Sequence, residues 1–549
     1  MPTTIPGNLI FQSPTNNDPL LDLNTQPSLD LQFAASKTLD DRVSGLPLVD
    51  HQRDVSSGKS AGTYVGSDGL IKTSKVNLMG YSDYSVVAGT TDAQLEGLAT
   101  APDGTNNARR YSTPSFGLDT INKIITTGTP GADYTFSVWV RSTGTAASVN
   151  ISVGDSAVSS IVSISTEWQR LSITKTNNDT NLVRGYVQML NVGDEIEVWG
   201  AQVEEGTTAS TYIPTTNLPS AAPRFDHDPV TGESLGLLVE ESRTNLVLRS
   251  EEFDSIYWRK ISSTSGTDPV VTPNYATAPD GTLTANRIVG TITPTGGADF
   301  SLVRKTIVTS GDHTWSIWLK SNTGSNQSII IKYTQAAGIV TVTPEWQRFS
   351  ITDTQSNFEC DIGLGNEGSQ VTGNSMDILA WGAQLEAGSF PTSYIPTTSS
   401  TVTRAADVAS ITGTNFSSWY NQSEGTAFVN FKIDNISTAF LVFELTDGIN
   451  NRILVVNNSN NAQIITNSTV QYNQTTPVPQ IGARIKKTLS YATNNTNLGL
   501  NGVIYSTDSS VSIPVVNQSN IGVNHVGTIA RLTYYPYRLP DATLQEITS

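Results

Sequence analysis

The sequence predicts an all-β chain of tandem β-sandwiches, and three observations carry that reading. Charged residues make up only 15% of the chain and hydrophobic residues 37%; much of the rest is Thr, Ser, Asn and Gly, which suit strands and turns. Apolar and polar residues alternate in short runs between clusters of Gly, Asn, Asp and Pro, and no segment repeats apolar residues at the spacing of an ordinary amphipathic helix. A long stretch of the chain also occurs twice. At 549 residues the chain exceeds what one hydrophobic core holds, so several domains are expected.

Residues 1–29 read as an extended polar segment. No Lys or Arg precedes Lys37 and no long apolar run occurs there, so neither a secretory signal nor a membrane anchor is expected. The formal net charge of −17 argues against nucleic acid and against an anionic membrane surface. The one cysteine, Cys360 in NFECDI, forms no intrachain disulfide and reads as a small buried hydrophobe.

The repeat fixes the middle of the chain. EWQRLSIT at 167–174 returns as EWQRFSIT at 345–352, ATAPDGT at 99–105 returns at 276–282, and YTFSVWVRSTG from Tyr134 matches HTWSIWLKSNTG from His313. VWGAQVEEGTTASTYIPTT from Val198 matches AWGAQLEAGSFPTSYIPTT from Ala380. Trp139, Trp168 and Trp199 thereby pair with Trp318, Trp346 and Trp381 at nearly constant offsets, so insertions fall in loops between matched strands. A module of this length present twice is a tandem domain, not a solenoid. In FSVWV, Phe136, Val138 and Val140 share one face while Ser137 and Trp139 share the other; in WQRLSIT, Trp168, Arg170, Ser172 and Thr174 alternate against Gln169, Leu171 and Ile173. Each copy therefore reads as a two-sheet sandwich of the jelly-roll kind, repeat 1 over 76–216 and repeat 2 over 245–404. Trp168 and Trp346 are expected to fill the sandwich, and Arg170 and Arg348 to bridge a strand edge or pair with a carboxylate.

From residue 405 to the end the repeat motifs stop, but short alternating strands continue: TAFVNFKI, AFLVFEL, RILVVNN, NLGLNGVIYS and TIARLTYYPYRL. Leu498 to Gly502 reads as a tight hairpin corner, and DATLQEIT as a short closing helix. These phrases resemble the concanavalin A-like (laminin-G-like) domains that end many bacteriophage tail-fibre and virion proteins. TYVGSDGLIKT at 63–73 and PRFDHDPVTGESLGLLVEESRTNLVLRSEEF at 223–253 resemble linker elements of the same class, and WGAQLEAGSFPTSYIPTT with TVTRAADVASI resembles its jelly-roll module. The resemblance covers the chain from about residue 30 onward. In that class SDGLIKT runs almost directly into PRFDHDPVTG; here repeat 1 stands between them. Residues 30–75 and 217–244 are therefore expected to meet as one small discontinuous β domain, with repeat 1 inserted in it and the lectin-like domain filling 405–549. GLIKTSKVNL and GLLVEESRTNL end alike, as if the exit strand were duplicated too.

Chemistry-bearing residues are sparse. His51, His227, His313 and His525 have no ligand spacing. FDHDPVTGE (Asp226, His227, Asp228, Glu233) reads as a hydrogen-bonded turn ahead of a cation site. Calcium at Asp103 or Asp280 in the two PDG turns is an analogy without a motif, so no cofactor is expected. Glu204 and Glu205, or Glu240 and Glu241, are adjacent in strands and point to opposite faces, which suits no hydrolytic pair. No G-x-S-x-G, H-E-x-x-H or phosphate loop occurs, so no enzyme is expected. Tyr257, Trp258, Trp419 and Tyr420 lie in or beside expected loops and are the candidate aromatic platforms for a sugar, with burial against a neighbour as the competing role.

The resemblance implies a non-enzymatic bacteriophage virion protein, a tail fibre or adhesin recognising host-surface glycan, assembled in the host cytoplasm. The alternatives are a head decoration or tail or baseplate component binding other virion proteins and, at low weight, a polysaccharide depolymerase. Residues 1–29 would dock to other virion proteins. A homo-oligomer is expected, commonly a trimer in fibres, although no heptad run is present to hold one.

Overall fold

The computed structural model describes residues 26–549 apart from 86–88, 92, 115–119, 126–127, 145–147, 155–158, 178–182, 296–297, 333–337, 355, 368–369, 435–440, 458–460, 478–479 and 506. The docking segment expected at 1–29 lies almost wholly outside the described residues. What is described is antiparallel β-sheet with three short α-helices, Phe33–Ser36, Gly413–Ser417 and Asp541–Thr548.

The two repeats are the same sandwich. In repeat 1 one sheet runs Gln169–Thr176, Asp133–Ser142, Glu195–Glu205, Ala108–Ser112, Gln94–Ala99. In repeat 2 the matching order is Gln347–Asp353, His313–Ser321, Ser375–Ala387, Ala285–Thr291, Val270–Ala276. The facing sheets are Ser159–Ser163, Ser148–Val153, Val183–Met189, Thr120–Ile125, Gly89–Thr91, and Ile339–Val342, Gln327–Ile330, Asn357–Glu367, Asp299–Val308, Arg259–Ser262. Alternation decides what faces inward: Phe136, Val138 and Val140 enter the first core, and Trp315, Ile317 and Leu319 enter the second with Cys360.

The EWQR tryptophans are not in those cores. Trp168, with Trp139, Trp199 and Tyr212, forms a satellite cluster on the outer face of its sheet, and Trp346 does the same with Trp318, Trp381 and Tyr394. The reason is parity: Leu171 and Ile173 take the inward positions, leaving Trp168 and Arg170 outside. The ATAPDGT loop and the YIPTT strap cover this face. Trp168 Nε1 donates to Thr100 O at 3.2 Å and Trp346 Nε1 to Thr277 O at 3.2 Å. Arg170 donates to Ser210 O (2.6 Å) and Ser137 Oγ (2.9 Å), and Arg348 donates to Thr392 O (2.6 Å) and Ser316 Oγ (2.9 Å). Both arginines thus tie the strap to the sheet rather than bridge an edge or pair with a carboxylate. The Gly of WGAQ sits at a bulge with φ +66° (Gly200) or +68° (Gly382), where a Cβ would lie 2.9 Å from the Trp139 ring or 2.8 Å from the Trp318 ring.

The last sandwich gathers strands from the whole chain. Its seven-stranded sheet runs Asp50–Gln52, Val408–Ile411, Gln518–Ile521, Leu441–Thr446, Arg452–Asn457, Ala462–Thr466, Thr469–Gln474. The facing sheet runs Arg224–His227, Ser234–Val239, Gly527–Tyr535, Glu424–Ile433, Arg484–Ala492, Asn495–Leu500, Val503–Ile504, with Leu29–Leu31 also on Gly527–Tyr535. Between residues 30–75 and 217–244, Asp54 bridges Ser220, and beside it Val76–Asn77 pairs with Ser220–Ala221. Of the strands in these segments, Leu29–Leu31, Asp50–Gln52, Arg224–His227 and Ser234–Val239 extend the two C-terminal sheets, while Thr63–Val65 and Ile71–Thr73 pair with each other. Leu29, Leu31, Leu237 and Val239 are wholly buried in that core beside Val429, Phe431 and Leu532. Strands of three to six residues gain stability by joining a larger sheet. At the far corner Asn501 and Gly502, both at positive φ (44° and 78°), join Leu500 to Val503 in a two-residue hairpin, and Asp541–Thr548 closes the chain as the expected helix.

Between repeat 2 and the C-terminal sandwich lies a buried charge cluster drawn from segments far apart in sequence. Arg53 Nη1 and Arg224 Nη2 both donate to Asp407, the latter at 2.6 Å. Arg224 Nη1 also donates to Glu240 (2.6 Å), and Arg404 Nη1 lies 2.9 Å from the same carboxylate. Glu240 accepts from Ser393 N (2.7 Å) and Oγ (2.6 Å) in the strap of repeat 2. All five charged side chains are essentially inaccessible. Burial would raise the Glu240 carboxyl, but the Arg404 and Arg224 charges pull it down to about 2; against the same desolvation, Arg224 and Arg53 hold Asp407 well below the carboxylate range.

Candidate functional site

Of the four aromatic candidates, Trp258 and Trp419 are buried and Tyr257 and Tyr420 are partly buried. Trp258 is 1% exposed inside the core of repeat 2, its Nε1 donating to Arg249 O at 3.0 Å, and Trp419 is 3% exposed in the C-terminal core against Phe416 and Tyr534. Tyr257 packs on the repeat 2 core with Lys305 Nζ 4.1 Å from its ring centroid, and Tyr420 packs on the C-terminal core against Phe416 and Tyr534. The two tryptophans thus complete cores within their own domains, and the two tyrosines pack at the margins of those cores.

Several of the candidate carboxylates are committed to local structure. Glu204 and Glu386, equivalent in the two repeats, hold the straps through Ser210 N (2.8 Å) and Thr392 N (2.9 Å). Asp103 and Asp280 close their PDG turns by accepting from Thr105 and Thr282. Asp226 accepts from Val65 N, and Asp228 caps Val230 and Thr231, so FDHDPVTGE is a turn. Among the described residues no group of three or more His, Cys, Asp and Glu is placed to hold a metal ion.

A site that sequence reading did not find lies on the outer face of the seven-stranded sheet. Six of its strands send apolar residues inward, among them Ala409, Ile411, Phe443, Leu445, Ile453, Ile464, Ile521 and Tyr472, and Asp50–Gln52 buries His51. The residues between them therefore point outward. The pairing register aligns one outward residue from every strand: Asp50 opposite Ser410, Ser410 opposite Asn520, Asn520 opposite Glu444, then Leu454, Gln463 and Asn473. Six of these seven side chains are polar. Glu444, only 3% exposed, is fixed at the centre: Arg452 donates to Oε2 through Nε (2.8 Å) and Nη2 (2.5 Å), and Asn520 Nδ2 donates to Oε1 at 2.7 Å. Gln463 Nε2 donates to Asn473 Oδ1 at 3.1 Å. At the end of the adjoining hairpin Asp447 accepts from the amides of Ile449, Asn450 and Asn451 and from the Asn451 side chain, which together hold its carboxyl down to about 2 against desolvation. The arrangement presents alternating donors and acceptors in fixed positions, with a buried, pre-oriented carboxylate as anchor.

No signal local to the sequence could have shown this row. Its members come from strands spread between residues 50 and 473 and residue 520, and only the pairing register brings them together.

No family model matches the chain, and no curated protein matches it. Three solved structures illustrate its similarities. The CBM40 module of a Ruminococcus gnavus IT-sialidase, bound to α2,3 sialyllactose, is 15% identical over 24% of this chain and 84% of that one, with a TM-score of 0.22. Domain 4 of AbnA, a GH43 extracellular arabinanase from Geobacillus stearothermophilus, in complex with arabinotriose, is 14% identical over 30% of this chain and 84% of that one, with a TM-score of 0.23. The CBM22-1–CBM22-2 tandem domain of Paenibacillus barcinonensis Xyn10C is 10% identical over 58% of this chain and 99% of that one, with a TM-score of 0.22.

Proposed function

We propose that this chain is a non-catalytic recognition component of a bacteriophage virion, a tail fibre or adhesin, which meets host-surface glycan with the outer face of its seven-stranded C-terminal sheet. The observation that carries the reading is the polar row from Asp50 to Asn473 across seven strands, anchored by the buried Glu444. Paired amides and carboxylates are the groups that match the vicinal hydroxyls of a sugar. The resemblance of the linker and C-terminal phrases supplies the virion context, and the use of Glu204 and Glu240 as structural anchors supports a binding rather than a hydrolytic role. Residues 1–29 are the segment assigned to docking on other virion proteins.

A second reading has one observation in its favour. None of the row's seven residues is aromatic, so the face lacks the ring on which a pyranose stacks, and a polar protein surface of a neighbouring virion subunit would fit it too. An array of purified bacterial capsular and lipopolysaccharide glycans separates the two. Saturable binding by the purified full chain, weakened at least ten-fold in an Asn520→Ala/Gln463→Ala variant that keeps the wild-type circular dichroism, supports the adhesin. No binding by folded protein leaves the subunit contact.

A further inference from the structure

The two repeats keep one face and change the other. On the strap-covered face, Trp168 and Trp346, Arg170 and Arg348, Tyr212 and Tyr394, and Glu204 and Glu386 keep equivalent hydrogen bonds. On the outer face of the facing sheet the copies part company. In repeat 2 the central row is Ile330, Gly363 and Leu302, with both aliphatic side chains wholly buried. Beside it Arg304 is closed into ion pairs with Asp361 (2.6 Å) and Glu359 (2.8 Å). That face is spent on itself.

In repeat 1 the matching row is Asn150, Gln188 and Thr120, continued to the edge by Ile161. Val149, Ile151, Val183 and Val187 face the core, which turns these residues and Tyr186 to the opposite side. Asn150 Nδ2 donates to Gln188 Oε1 at 3.1 Å and Gln188 Nε2 to Thr120 Oγ1 at 3.3 Å. Asn150 is 9% exposed, yet its Oδ1 has no hydrogen-bond partner. A buried acceptor left open is unfavourable, and a ligand donor would relieve that. Tyr186 stands half-buried one row over, opposite Ser152, and Ile161 is 68% exposed at the edge. An aromatic ring, an aliphatic edge and a line of amides ending in an open acceptor are what a sugar's apolar face and hydroxyl groups require.

We propose that this face of repeat 1 is a second saccharide site, independent of the C-terminal row, and that it takes an uncharged oligosaccharide whose hydroxyl donates to Asn150 Oδ1. Repeat 2, by the same comparison, has lost or never had such a site.

The test uses the full chain on an array of neutral and acidic bacterial glycans, with three variants: Tyr186→Ala, Gln188→Ala, and the C-terminal Asn520→Ala/Gln463→Ala. The expected result is a set of neutral glycans whose binding falls at least ten-fold in both Tyr186→Ala and Gln188→Ala, with Tyr186→Phe retaining it, while the C-terminal variant leaves that set unchanged. Four results overturn the proposal: wild type binds no glycan, the repeat 1 variants bind as wild type does, the glycans lost are acidic only, or all binding is lost in the C-terminal variant alone. The last of these would leave the adhesin reading standing, whereas loss confined to the repeat 1 variants would move recognition away from the C-terminal sheet.

Discussion

Asp407 is the residue on which the junction depends. It accepts from Arg53, from Arg224 and from the backbone N–H of Glu240 (2.9 Å), so three segments far apart in sequence converge on one carboxylate. Replacing it with Asn leaves two buried guanidinium groups short of negative charge, a loss that typically costs about 3–5 kcal/mol. The Asp407→Asn chain is expected to unfold its C-terminal transition at markedly lower urea, while Glu205→Gln, at an exposed strand end, leaves the midpoint in place. The same cluster sets a pH dependence. The folded carboxyls of Glu240 and Asp407 lie below their unfolded values, so their contribution is present in full above about pH 4.5. It is lost progressively as pH falls through the ordinary carboxylate range toward about 2, where Glu240 protonates in the folded state. Urea midpoints taken from pH 7 to pH 2 should begin to fall below about pH 6.5, because burial holds His51 below the ordinary imidazole value and His525 down to about 4, and should fall further through the carboxylate range. A midpoint that stays level to pH 2 would mean these carboxylates are not the ionised partners described.

At the scale of elements, each repeat is tied to its entry strand by one asparagine. Asn77 Nδ2 donates to Ala201 O and Ile213 O, and its Oδ1 accepts from Met79 and Val203; Asn245 does the same with Ala383, Ile395, Val247 and Leu385. Alanine at either position strands two buried carbonyls and two buried amides, an expected loss of about 3 kcal/mol or more. Asn77→Ala should lower only the transition of repeat 1 and Asn245→Ala only that of repeat 2, by similar amounts in calorimetry. This pair also shows what the sequence discloses. The matched endings KVNL and RTNL mark a duplicated exit strand, and alternation in FSVWV and WQRLSIT places every residue on its correct side. Leu500-Asn501-Gly502 announces its hairpin because only residues tolerant of positive φ suit such a turn. Alternation cannot say whether an outward face is bare or covered, so it does not reveal that Trp168 and Trp346 lie beneath the straps outside the cores. Nor can it say which strands pair. Arg53, Arg224, Glu240, Arg404 and Asp407 read singly as ordinary surface charges, and the row from Asp50 to Asn473 exists only once seven strands are in register.

At the scale of the molecule, both jelly rolls hang from the C-terminal sandwich by paired antiparallel stems. Val76–Asn77 pairs with Ser220–Ala221 for repeat 1, and Arg243–Asn245 pairs with Val402–Arg404 for repeat 2. Each stem ends with its partners directly opposite, Asn77 with Ser220 and Asn245 with Val402, so each repeat is replaceable in principle by a two-residue hairpin turn. The junction makes the two excisions unequal. Repeat 1 supplies none of the charged residues of the cluster, whereas repeat 2 supplies Ser393 to Glu240 and Arg224, Thr392 to Arg404, and the Tyr394 carbonyl that accepts from Thr63. Ile71 of the hairpin Thr63–Val65/Ile71–Thr73 also packs into the aromatic cluster of repeat 2. Replacing 78–219 with Asn-Gly should therefore leave a chain whose C-terminal transition stays within about 1 kcal/mol of wild type. Replacing 246–401 the same way should expose the Glu240–Arg404 pair to water and lower that transition by several kcal/mol, by the rule that truncating one side of a buried charge network costs far more than trimming its periphery. Calorimetry of the two deletions decides it: equal losses would mean the cluster does not couple repeat 2 to the C-terminal sandwich, and the three domains would then be free to swing about their stems.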